Sequence, residues 1–193
     1  TCEAFFAALR RRTRRNARKI DTEILARAGC DRAILMSDSS GFSRKTHEYG
    51  IFQFLSVMTR CFDRLIPLLE KRRGECLSHV ADNILAVFER PSDAVQAAVD
   101  MHRWLRSHTR RKPDAEQFNI CVGIHYGPVV RLRETVFGGT VNVAAKVGED
   151  LAGKDEILVT REVVSRIPKT FKTVYNRSVT LGGKTFELHR VSW

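Results

Sequence analysis

The stretch AILMSDSSGFS, Ala33 to Ser43, decides the reading of this chain. Its apolar run ends at Asp38 and gives way at once to Ser39, Ser40 and Gly41, all small and turn-prone. A short apolar run bounded by turn residues reads as a buried strand, here Arg32 to Ser37. An acid at the carboxyl end of a strand, beside a loop whose backbone N–H groups are free, is one way to hold a metal next to a phosphate. A surface turn acid gives the same local pattern, so the meaning of Asp38 depends on what the rest of the chain places beside it.

Upstream, residues 1 to 30 read as a basic helical extension ended near Gly29, and residues 31 to 193 as one domain. The extension contains LRRRTRRNARK, Leu9 to Lys19, with seven arginines and lysines among eleven residues, and it supplies much of the net charge of +11. A solvated helix face, a polyanion-binding surface and a field that attracts a polyphosphate all fit such a run. No aromatic residues interleave with the arginines, so a stacking platform for single strands is not indicated.

Downstream, Ile51, Leu55, Met58, Phe62, Leu65 and Leu69 recur at three- and four-residue steps, which predicts one long helix from Thr46, bent at Pro67 and closed by Gly74. ECLSHVADNILAVFE, Glu75 to Glu89, holds two β-prone runs around Ala81, Asp82 and Asn83 and reads as a hairpin with a second acid at its tip. A helix follows from about Pro91, with Ser92 as its N-cap. FNICVGIHYGPVVRL reads as two strands meeting near Tyr126 and Gly127, and GGTVNVAAKVGEDLAG as a glycine turn entering a helix at Thr140. EILVT, a short helix near Glu162, and the late runs KTVYN and KTFELHRV complete an α+β pattern.

The order strand, helix, strand, strand, helix, strand is the split βαβ arrangement of a ferredoxin-like core. In that topology the first strand and the hairpin are neighbours, so Asp38 and Asp82 can meet. Two carboxylates without a cation repel, and a bound divalent metal relieves the repulsion.

Composition sets outer limits. With 43% hydrophobic and 28% charged residues among 193, the chain is an ordinary globular one with a real core. Apolar stretches are broken by charge well short of ~20 residues, which predicts no transmembrane segment and a cytoplasmic location. Five scattered cysteines without CxxC spacing argue against a disulfide framework or a zinc site.

The ordered set ILMSDSSGFS, SHVADNILAVFERPSDAVQAAVDM, ICVGIHYGPVV and FGGTVNVAAKV resembles the class III nucleotide cyclase catalytic domain, over roughly Ala33 to Thr160. The resemblance implies two divalent cations, Mg²⁺ or Mn²⁺, held by Asp38, Asp82 and the carbonyl of Ser39. It implies a triphosphate laid along Ser40, Gly41 and Phe42, with Lys184 near the late phosphate-binding position. Asn142 falls where the family orients the ribose, and Lys146 where it carries an arginine facing the α-phosphate, so the charge is kept and the fork lost. His125 is expected to shape the sheet. The family shares its sites between two chains, which implies a head-to-tail homodimer, a nucleoside triphosphate substrate and a downstream effector that binds the cyclic product.

The base-reading positions depart from the family. Adenylate cyclases carry a lysine where this chain has Ser78, and an aspartate or threonine where it has Thr135; guanylate cyclases carry an acid at the first. Three readings follow: a purine enzyme with rewired contacts, such as an adenylate cyclase; a silent ferredoxin-like domain binding nucleic acid through its basic N-terminus; or a changed base. SSGFSR, YGIFQFL and ADNILAVF are similar in style to the pyrimidine cyclases of bacterial anti-phage signalling, the Pycsar type, which implies UTP or CTP as substrate. Tyr49 is then the candidate for filling the smaller pocket alongside Ser78 and Thr135.

Overall fold

Eleven residues, Gly29–Ser39, form strand β1 in the computed structural model, which describes residues 2–193. The strand runs past the predicted Arg32 to Ser37 because Asp38 and Ser39 still pair with Cys121 and Ile120 of strand β4 (Ile120–Arg131). Asp38 is therefore the penultimate residue of a long central strand, not its last. Ala33, Ile34, Leu35 and Ser37 are fully buried, since helices cover one face of the sheet here and a second apolar layer covers the other.

Helices α1 (Cys2–Arg10) and α2 (Ala17–Ala28) precede β1, so the basic segment is built of two helices joined by a turn. Asn16 folds the turn between them: its Oδ1 accepts from the Thr13 N–H at 2.6 Å and its Nδ2 donates to the Arg11 carbonyl at 2.8 Å. Ala8, Ile20 and Ile24 pack with Phe5 and with Val130 of β4.

After β1 the single expected helix is two, α3 (Phe42–Tyr49) and α4 (Ile51–Lys71). Gly50 breaks them at φ 86°, a backbone region that glycine enters without steric cost, whereas Pro67 lies inside α4. Strands β2 (Glu75–Ser78) and β3 (Ile84–Phe88) form the predicted hairpin. Helix α5 (Pro91–Thr109) starts directly at Pro91 after Arg90, with no cap from Ser92, because proline at the first helical position presets φ.

β4 is one unbroken strand where two were expected. Gly127 serves packing there: a Cβ would stand 2.9 Å from Oγ1 of Thr140. Strand β5 (Val136–Phe137) folds back on β4, and helix α6 (Gly139–Ala145) continues into a π-helical stretch, Lys146–Leu151. Strand β6 (Ile157–Thr160), helix α7 (Arg161–Val164) and strands β7 (Thr173–Leu181) and β8 (Lys184–Val191) complete the chain.

The sheet order is β2-β3-β1-β4-β6-β8-β7, with β5 attached to β4. Its first four strands pair antiparallel and are linked by α4 and α5, which is the ferredoxin-like βαββαβ core and an α+β fold. Leu65, Leu69, Ala98 and Met101 of the two helices bury Leu35, Ala86, Phe88 and Ile124 of the sheet. On the opposite face Ile34, Met36, Val87, Val129, Val136 and Ala144 make a smaller cluster. There the π-helical stretch meets the sheet backbone to backbone: a Cβ on Gly123 would stand 2.2 Å from the Gly148 nitrogen, and one on Gly148 2.5 Å from the Met36 carbonyl oxygen. Among the described residues no helix is long and apolar enough to cross a membrane, and the cysteines are unpaired.

Candidate active site

Two carboxylates from distant parts of the chain come together at one end of the sheet. Asp38 is carried by β1 and Asp82 by the turn joining β2 to β3, and the β1–β3 pairing sets one beside the other. Ser39, the next residue on β1, donates its hydroxyl to Oδ2 of Asp82 at 2.5 Å and fixes the hairpin tip against the strand. The thiol of Cys121 donates to the Asp38 carbonyl at 3.5 Å.

Partial burial pushes the Asp38 carboxyl up to about 6, and repulsion from Asp82 adds to it. Glu149 on the π-helical stretch is a third, more distant negative charge on Asp38. Burial and the neighbouring Asp150 hold Glu149 itself above the usual carboxylate range, opposed by a 2.9 Å hydrogen bond from Asn83 Nδ2 to its Oε1. Among the described residues no three histidine, cysteine or acidic side chains form a group that could hold a metal. The donor set is two carboxylates and main-chain oxygen, which suits a hard cation that completes its shell with phosphate and water.

Beside the acids, Ser40 and Gly41 turn the chain into α3. Gly41 sits at φ 88°, its carbonyl accepts from the Lys45 N–H at 3.0 Å, and a Cβ there would meet nothing within 4 Å. The position needs glycine for its backbone, not for room. No side chain caps α3, so first-turn N–H groups remain for an anion. Phe42 anchors the turn edge-on to Phe54, with ring centroids 4.9 Å apart.

Asn142, Lys146 and Lys184 lie elsewhere. They line a cleft of about 870 Å³ between α6 and the β7–β8 turn, floored by His125 and Phe186. Neither Asp38 nor Asp82 lines it. Asn142 is exposed, and the Lys146 ammonium pairs with Asp150 at 2.5 Å, one helical turn on. His125 is buried, its Nδ1 is 2.8 Å from Oγ1 of Thr160, and burial pushes its pKa down.

The base-facing candidates are spread. Ser78 ends β2 and is half-buried, and Thr135 lies in the turn between β4 and β5; the adjoining Leu77 and Val136 share one apolar cluster. Tyr49 ends α3 and is 40% exposed, and its hydroxyl donates to Asp114 at 3.2 Å. Sequence reasoning missed Asn83, Glu149 and Asp114. Glu149 had a faint signal, three residues after Lys146 on the same helix; Asp114, which also binds Arg44, had none.

Residues 30–191 match the family model described as the adenylate and guanylate cyclase catalytic domain, and the chain belongs to that family. It is 28% identical over 135 residues to the serine/threonine-protein kinase pkn2 of Myxococcus xanthus, which covers 67% of this chain and 16% of that one. It is 27% identical over 115 residues to the putative adenylate cyclase 3 of Rhizobium meliloti (strain 1021), covering 60% of this chain and 20% of that one. The chain thus spans a fifth or less of the curated relatives it matches. The crystal structure of the guanylyl cyclase Cya2 shares the fold at a TM-score of 0.75 and 19% identity, covering 84% of this chain and 92% of that one.

Proposed function

We propose that this domain is a nucleotide cyclase that converts a pyrimidine nucleoside triphosphate, UTP ahead of CTP, to its 3′,5′-cyclic monophosphate. The ribose 3′-oxygen attacks the α-phosphorus, the bond from phosphorus to the α,β-bridging oxygen breaks, pyrophosphate leaves in line, and the hydroxyl proton passes to water. The convergence of Asp38 and Asp82 carries this reading, because two half-buried acids that repel each other are poised for cations.

Asp38, Asp82 and the Ser39 carbonyl would hold two divalent ions, Mg²⁺ or Mn²⁺. Bound there, such ions lower the pKa of the attacking hydroxyl and take charge on the leaving group. Gly41 and Phe42 would cradle the triphosphate through backbone N–H groups, beside Ser40, whose own N–H is held by the Asn119 carbonyl at 2.9 Å, and Lys184 adds a cation. Asn142 orients the ribose, and Lys146, released from Asp150, meets the charge that builds at the α-phosphate.

The separation of the acids from the Asn142 cleft supports a head-to-tail homodimer. Each site then takes Asp38 and Asp82 from one chain and Asn142, Lys146 and Lys184 from the other. Ser78 and Thr135 would meet the base through their hydroxyls, whereas Tyr49 donates to Asp114 at the end of α3 and is not assigned to that pocket. The cyclic product would serve as a second messenger in bacterial anti-phage defence, read by an effector that binds cyclic nucleotides.

The test is incubation of the purified protein with each of the four nucleoside triphosphates and Mn²⁺ or Mg²⁺, with products identified by mass. Cyclic UMP and pyrophosphate are expected. Cyclic AMP as the main product would replace the pyrimidine assignment with a rewired adenylate cyclase. No turnover together with salt-sensitive oligonucleotide binding would replace the enzyme with a nucleic-acid-binding domain.

A further inference from the structure

At the end of the sheet away from Asp38, a pocket of about 560 Å³ opens between the start of β2 and the end of β4, lined by Arg32, Glu75, Glu89, Arg131 and Arg133. Most of its charges pair on the rim, but Arg131 does something different. Its side chain is only 15% exposed, and its Nη2 reaches Oε1 of Glu75 at 2.6 Å. Its Nη1 donates to the carbonyls of Leu132 and Thr135, the latter at 3.0 Å. The Leu132 N–H also donates to the Thr135 carbonyl at 2.9 Å, so the 132–135 turn is wrapped around the guanidinium. One planar group therefore ties Glu75, at the start of the strand whose far end, past a register shift after Cys76, is Ser78, to the turn that ends at Thr135.

We infer that Arg131, braced by Glu75, is a positioning residue that sets base selectivity by fixing the turn bearing Thr135 against the strand bearing Ser78. The inference rests on the proposed base pocket. Both pocket residues carry a short hydroxyl that donates or accepts as it rotates, and neither has the reach to adapt to a misplaced base. Discrimination by such groups depends on where the backbone holds them. A site built on hydrogen bonds rejects a wrong base because its own polar groups are left unpaired. The rigid fork of Arg131 bonds both segments at once, which a lysine's single ammonium cannot do in the same geometry.

This account differs from a plain packing role in what it predicts. Loss of packing would weaken every nucleotide alike, whereas loss of registration would flatten the preference among bases.

The measurement is the affinity of the protein for the four 3′-deoxynucleoside triphosphates in the presence of Mn²⁺, by calorimetric competition. These probes lack the attacking oxygen, so binding is read without turnover. In the native chain one base should bind best. Arg131→Gln should compress the ratio of best to worst by about tenfold, and Arg131→Lys should recover part of it. Glu75→Gln, at an exposed carboxylate where folding is not at risk, should compress it by about threefold. An unchanged ratio in Arg131→Gln and Glu75→Gln, or a uniform loss for all four probes, overturns the inference, as does equal binding of all four by the native chain. A native chain that selects a base yet forms no cyclic product overturns the cyclase reading and leaves this one standing.

Discussion

Asp38 sits between two demands. The fold half-buries it beside Asp82, and the proposed chemistry keeps both ionised so that cations can bind. In the metal-free protein the rise from 3.8 to about 6 corresponds to about 3 kcal/mol at full burial, and to about 1–2 kcal/mol after discounting for its exposure. Asp38→Asn removes the half-buried charge and with it the repulsion from Asp82, so at pH 8 in chelator its unfolding free energy should exceed that of the native chain by this amount, read by urea titration. Its cyclase turnover should fall at least about a hundredfold. A variant that is both less stable in chelator and active would contradict the pairing of these acids. The two aspartates were legible because each stands at a sequence feature with a fixed place in a ferredoxin-like sheet, one strand end and one hairpin tip. Glu149 and Asn83 were not, because their contact depends on the π-helical path after Ala145, which the spacing of apolar residues does not encode.

Single elements show where local signals compete with packing. Gly50 broke the helix expected from Thr46, just ahead of an apolar period that begins at Ile51, and Gly127 did not break a strand, because there the missing side chain admits Thr140 of α6. The hairpin tip is a third case. Ala81 adopts φ 54°, a left-handed conformation that costs a Cβ-bearing residue about 1–2 kcal/mol. Ala81→Gly should therefore raise stability by up to about 1 kcal/mol, the unfolded-chain entropy of glycine offsetting part of the relief. A destabilised Ala81→Gly would show that Ala81 makes contacts worth more than its backbone strain. The α1–α2 hairpin was legible as helix and as charge, but its turn depends on the Asn16 side chain, and a basic run masks such a cap.

Across the whole molecule, the split between the acid pair and the Asn142 cleft would, in the proposed head-to-tail dimer, make activity a property of two chains. When an Asp38→Asn chain is mixed with an Asn142→Ala chain and subunits exchange, half the dimers are mixed and each has one intact site. About a quarter of native turnover should return, and none should return if every site is built within one chain. The buried histidines set a second property of the whole fold. Burial holds the pKa of His102 and of His125 below the ordinary 6.5, so both stay neutral when folded and take up protons on unfolding. Stability from them is complete above about 6.5 and declines as pH falls below it, at up to about 1.4 kcal/mol per pH unit for each. Asp38 acts in the opposite sense in the metal-free chain, so the Asp38→Asn background isolates the effect. There the melting temperature should drop between about pH 7 and 5.5, and a flat or rising profile would place the histidines in contact with solvent.

The paired glycines 123 and 148 leave main chain against main chain where the Lys146 segment crosses β1 and β4. No side chain stands between them to be lengthened or trimmed, so the span from the acids' strand to the cation's helix is cast in peptide units. In the proposed head-to-tail dimer those two groups serve opposite sites, so inherited variation can retune the rim, where Ser78 and Thr135 stand, while the spacing between the two sites shifts only by breaking the mould.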